Sequence, residues 1–150
     1  MGLPALAQLS NTTSTFSGQV AATCSIDLPE NIELIYWPDT NYLSGRYDNF
    51  YVTANIATVR IHVSRTVILV EPPPIASSIT SEVSVHEPFT SEYVSASKTS
   101  EGSKEFNLRS TVNPNLFMIH ALVQTSGMVG GRFELPPGNY SYRTIISCLQ

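Results

Sequence analysis

Charge is what this sequence lacks most. Asp, Glu, Lys and Arg make up 13% of its 150 residues, about half the usual share of a globular domain. The eight Lys and Arg are dispersed and the net charge is -4. No basic stripe can neutralise a row of phosphates, so binding to nucleic acid or to an anionic membrane has no electrostatic support. Long apolar runs are missing too, and none approaches the ~20 residues that a membrane-spanning helix needs. Metal-ligand spacings such as His-x-x-x-His or Cys-x-x-Cys are absent, as is the Gly-x-Ser-x-Gly elbow of serine hydrolases. Gly127, Gly130 and Gly131 are not followed by the Lys and Ser or Thr of a phosphate loop. His62, His86 and His120 are far apart. They read as an exposed strand residue, a loop residue and a core-flanking residue, not as a ligand set. No catalytic residue, metal or cofactor is expected, and the chain does not read as an enzyme. The remaining enzymatic option is a carboxylate pair for sugar hydrolysis, drawn from Glu30, Glu33, Asp39 and Asp48.

Ser and Thr take the place of charge, and β-branched and aromatic residues are plentiful between scattered Pro and Gly. That mixture suits short strands joined by turns. From Phe16 the chain alternates. Phe16, Gly18, Val20, Ala22, Cys24, Ile26 and Leu28 share one face and polar or small residues the other, which predicts a half-buried strand ended by Pro29. Further strands are expected at 33–37, 50–54 and 56–70. In the last of these Val59, Ile61 and Val63 share a face, and the prolines at 72–74 terminate it. Residues 41–48 read as a loop. Residues 79–85 suggest an edge strand, 89–96 another, and 97–104 a polar loop. Strands follow at 106–112 and 116–125, the latter buried, and a final one at 139–149 with Tyr140, Tyr142, Thr144, Ile146 and Cys148 on one face. About eight or nine strands at this spacing make a sandwich or a barrel. The expected fold class is all-β, an immunoglobulin-like sandwich in a single domain over 16–150, preceded by an extension over 1–15.

Cys24 and Cys148 are the only cysteines. They either remain buried thiols or pair. An even count in a Ser/Thr-rich, Lys-poor chain fits an oxidising compartment. Ala5-Leu6-Ala7 before Gln8 has the small-x-small form of a signal-peptidase site, but residues 1–4 supply neither a basic end nor a long apolar stretch. Either the leader is truncated or the pattern is coincidental. Tyr36, Trp37, Tyr42 and Tyr47 form a loose aromatic cluster. It reads either as a core Trp with strand tyrosines or as a sugar-binding surface.

The two ends carry a resemblance. Phe16-Ser-Gly18-Gln-Val20, then small residues, then Cys24 resembles the first strand of chaperone–usher pilins. Gly138-Asn-Tyr140 opening a stretch that ends at Cys148 resembles their last strand, and that of the related spore-coat-U-type proteins. The similarity covers about 25–30 residues at the two ends. It implies an incomplete immunoglobulin-like sandwich whose hydrophobic groove takes a strand donated by the next subunit. The resulting expectation is a secreted structural subunit of an extracellular bacterial filament, with identical subunits as partners and a periplasmic chaperone and an outer-membrane usher serving its assembly. The donated strand would draw on Leu3, Ala5, Ala7 and Leu9 or on Phe16, Gly18 and Val20. The acceptor groove would be lined by Val59, Ile61, Val63, Phe117, Ile119 and Val123. In such pilins the first-strand cysteine pairs with one in the second strand; here Cys148 is the only candidate, within the subunit or between two. A monomeric adhesive or carbohydrate-binding module is the alternative.

Overall fold

The computed structural model describes residues 2, 11–37, 42–73, 79–109, 113–125 and 135–149. The chain is all-β, and its described residues form twelve strands in antiparallel pairs. β1 (Cys24–Asp27), β2 (Leu34–Trp37), β3 (Tyr42–Gly45) and β4 (Asp48–Ala54) come first. β5 (Thr58–Val63), β6 (Val67–Val70), β7 (Ile79–Glu87) and β8 (Glu92–Ser97) follow. β9 (Gly102–Asn107), β10 (Asn115–Thr125), β11 (Ser141–Arg143) and β12 (Ile146–Leu149) complete the set.

The first sheet is built on β10, whose 11 residues alternate between the interior and the outer face. One edge of β10 pairs with β4 along residues 115–119 and with β3 at 122–123. The other edge pairs with β7, which in turn pairs with β8. β1 and β2 lie outside β4 and β3. The second sheet is in two parts, a three-stranded ladder with β5 between β12 and β9 and a two-stranded one pairing β6 with β11. Both of its long strands break at one level. There Ser64 N–H donates to the Ile145 carbonyl at 2.9 Å, Ile145 N–H donates to Ser64 Oγ at 2.7 Å, and Thr144 Oγ1 donates to the Ser64 carbonyl at 2.9 Å. The bend is therefore satisfied by side chains where the ladder stops.

The sheets pack face to face as a β-sandwich. Phe50 and Phe117 from the first sheet meet Phe106 from the second, with Phe117 at 5.7 Å from Phe50 and edge-on to Phe106 at 5.3 Å. Val52, Val59, Ile61, Val63, Val85 and Ile119 fill the space around them. One side of the sandwich is closed by the turn from β8 to β9. Here Gly102 lies so near the Ser95 carbonyl that a Cβ would stand 2.1 Å from its oxygen, and only glycine permits that approach. The other side is closed by a disulfide between Cys24 of β1 and Cys148 of β12, 124 positions apart with Cα atoms 5.9 Å apart.

Several sequence expectations change. Of the long first strand expected over 16–28, Cys24–Asp27 enters the ladder with β4, which ends at Ala54 where the chain turns toward β5; just upstream, Asn55 bonds Thr23 and Ala21. Residues 42–45, read as loop, form β3, and Gly102–Asn107 makes a strand out of part of the expected polar loop. β7 is interior, with partners on both edges, not an edge strand. The strands expected at 56–70 and 139–149 are each broken in two.

Candidate functional site: a cleft beside the last strand

The two sheets separate beyond Cys24 and Cys148. β12 continues through Ile145 and Thr144 into β11, while the first sheet moves from β1 to β2 through the loop over 28–33. A cleft of about 340 Å³ opens between them. Ile119, Ala121 and Val123 of β10 form its floor, Leu28, Ile32 and Leu34 one wall, and Tyr140, Tyr142 and Ile146 the other. Glu30, Glu82 and Arg143 are charged residues on its lining. A second hollow of about 510 Å³ shares Leu34 and Tyr140 and runs on past Tyr36, Leu43 and residues 135–139. Together they make a groove along β11. Among the described residues, β11 and β12 pair only with β6 and β5, so no strand lies against their outer edge.

The β11 wall is held by a polar cluster. Glu71, just after β6, accepts a hydrogen bond from the Tyr142 hydroxyl and an ion pair from Lys98 Nζ at 2.8 Å. Lys98 Nζ also donates to the Ile79 carbonyl at the start of β7. The cluster therefore ties β6, β11, the β8–β9 turn and β7 together. Burial, then the hydrogen bond to Glu71 and the charge on that carboxylate, push the Tyr142 phenol far above its usual range. Burial and the same charge also raise Tyr140, whose hydroxyl donates to the Pro136 carbonyl at 2.5 Å. Both tyrosines stay protonated and serve as donors.

The residues expected in an acceptor groove divide. Ile119 and Val123 line the cleft. Val59, Ile61, Val63 and Phe117 are fully buried in the sandwich core instead, because β9, β5, β4 and β10 close over them. The expected donor residues divide as well. Leu3, Ala5, Ala7 and Leu9 lie outside the described residues. Phe16, Gly18 and Val20 belong to no strand, with Phe16 92% and Val20 86% exposed. Cys24 and Cys148 are bonded within one chain.

The aromatic cluster read from the sequence separates. Trp37 and Tyr42 face each other across β2 and β3, and Tyr36 lines the second hollow. Tyr47 stacks on His120 at 4.5 Å and meets His86 edge-on at 5.4 Å, and His86 stacks on Tyr93 at 5.3 Å. His86 is thus a strand residue on β7, not a loop residue, and the fold brings it toward His120, leaving His62 on the other sheet beside Glu101 at 3.3 Å. Their remote sequence positions gave no signal of this row. His86 Nε2 bonds Ser84 Oγ at 2.8 Å and His120 Nε2 bonds Ser44 Oγ at 2.9 Å. The Tyr47 and Tyr93 rings at the ends of this row remain 54% and 57% exposed.

Burial holds both imidazoles below their usual pKa, and for His120 the neighbouring His86 charge adds to it, against opposition from Glu82. The folded state therefore disfavours protons that the unfolded chain accepts near pH ~6.5. This contribution to stability is full above that pH and is lost as pH falls through the lowered folded values. Thermal melts between pH ~7 and ~5 are expected to show a smaller loss for the double variant His86→Gln/His120→Gln than for the parent. Equal slopes would mean that the pair is not linked to folding.

No protein-family model matches the chain, and no curated protein and no solved structure was found to be similar to it.

Proposed function

We propose that this protein is a structural subunit of an extracellular bacterial filament, joined head-to-tail when one subunit donates an extended N-terminal segment to the next. The observation that carries this reading is the groove along the outer edge of β11 and β12, floored by Ile119, Ala121 and Val123. A strand edge with no partner strand among the described residues, beside an apolar cleft, suits strand addition, in which backbone hydrogen bonds give affinity and alternate side chains give register. An exposed edge is otherwise an aggregation liability. Donation from one end of a subunit into the cleft of another is heterologous and does not close, so it builds an open fibre. The disulfide fits passage through an oxidising compartment, in keeping with secretion through the periplasm and assembly at the cell surface. The resemblance of the two chain ends to chaperone–usher pilins agrees with this reading and suggests a chaperone and an usher as assembly partners.

Electron microscopy of the purified full-length protein, beside one lacking residues 1–20, tests the reading. Filaments are expected from the first and monomers from the second. A full-length protein that stays monomeric at every concentration would remove the filament reading.

A further inference from the structure

We infer that the donated residues are Phe16 and Val20, and that Asn55 aims them at another molecule instead of the chain's own cleft. This rests on the filament reading above and adds its register and direction.

The upstream limit of the folded body is set by one side chain. Asn55 follows β4, and its backbone N–H donates to the Thr23 carbonyl at 3.3 Å, extending the β1–β4 ladder by one position. Its side-chain oxygen accepts from Thr23 N–H at 2.7 Å, and its side-chain nitrogen donates to the Ala21 carbonyl at 2.8 Å. Residues 21–23 are therefore held on the line of β1. β1 runs from Cys24 toward Leu28, which is where the cleft begins. The arm upstream of Ala21 accordingly leaves at the far end of β1 from its own cleft. Entering that cleft would require the chain to reverse at 21–23 and break the Asn55 contacts.

The arm itself fits a cleft of this kind. Residues 11–20 contain no charged side chain, so inserting them desolvates no ion. Phe16 and Val20 are the first large apolar residues above the clamp and make almost no contact with their own molecule. In an extended chain they fall on one face about 13 Å apart, the same four-residue separation as Ile119 and Val123 on the cleft floor. Gly18, on the same face between them, presents no side chain to Ala121 between Ile119 and Val123 on the floor.

Three full-length variants test the inference by sedimentation velocity, with circular dichroism confirming the fold. Phe16→Asp/Val20→Asp is expected to leave only monomers, and because both residues are exposed it should fold as the parent does. Leu3→Asp/Leu9→Asp is expected to polymerise like the parent. The reverse result would overturn the register while leaving the filament reading intact, whereas a parent that never polymerises would defeat both. Asn55→Ala is expected to raise the monomer fraction as released arms fold back, and an unchanged distribution would overturn its directing role.

Discussion

Reducing the Cys24–Cys148 bond, or replacing both residues by serine, is expected to lower the stability of the folded chain by about 5 kcal/mol on the chain-entropy relation for so long a loop. The bond spans 124 positions, so it removes freedom from nearly the whole unfolded chain. It is also the covalent tie between β1 at the edge of one sheet and β12 at the edge of the other. Ordinary domains are stable by only about 5–15 kcal/mol, so the change is large. In urea the midpoint should fall by about 2–3 M, given a slope near 2 kcal/mol/M. Melting should drop by roughly 10–20 °C. A midpoint moving by less than about 0.5 M would show that the sheets hold together without the bond. The cleft begins where this closure ends, so on the proposed filament reading the reduced protein is also expected to lose polymer before it unfolds. Light scattering during titration with reductant would follow that loss.

The second large effect falls on Glu71. Its carboxylate is the common acceptor for Lys98 and Tyr142, and the side chains of Glu71 and Lys98 are 11% and 20% exposed. Glu71→Ala leaves a mostly buried ammonium and a phenol without their acceptor. Removing one member of such a pair costs about 3–5 kcal/mol, much of it the uncompensated charge. Lys98→Met alone should be similarly harmful, whereas Glu71→Leu/Lys98→Met should recover part of the loss, since an apolar pair strands no ion. A double-mutant cycle in denaturant measures the difference. If the two single changes simply add, the pair is not coupled. Arg60 and Glu105, 2.8 Å apart but both well exposed, form the contrasting case, where little loss is expected.

Some of this was legible in the residues. The alternation of Val59, Ile61 and Val63, and of Phe117, Ile119 and Val123, identifies the inward faces of two strands before any partner is known, and those residues are buried in the structure. The strand over Asn115–Thr125 is nearly the one expected. The segment containing β9 reads as a loop because Gly102, Ser103, Lys104 and Glu105 are polar or small; only Phe106 reaches the core, and one buried residue gives no period. Residues 16–23 misled in the opposite direction. They alternate well, but the β1–β4 ladder stops where β4 ends at Ala54, opposite Cys24.

By itself the sequence determined the all-β class, the inward faces of the long strands, and the presence of two cysteines on apolar faces, because these follow from local side-chain periodicity and composition. Tertiary structure alone decided that β10 pairs on both edges, that both long strands of the second sheet break at Ser64 and Thr144, and that Cys24 meets Cys148 within one chain. It also decided that Glu71, Lys98 and Tyr142 converge, that Tyr47, His120, His86 and Tyr93 form a row, and that a cleft opens beside β11. Period-two alternation states which face a side chain takes but not which strand lies next to it. A cleft between two sheets depends on where each strand stops, and that is settled by the ends of its neighbours.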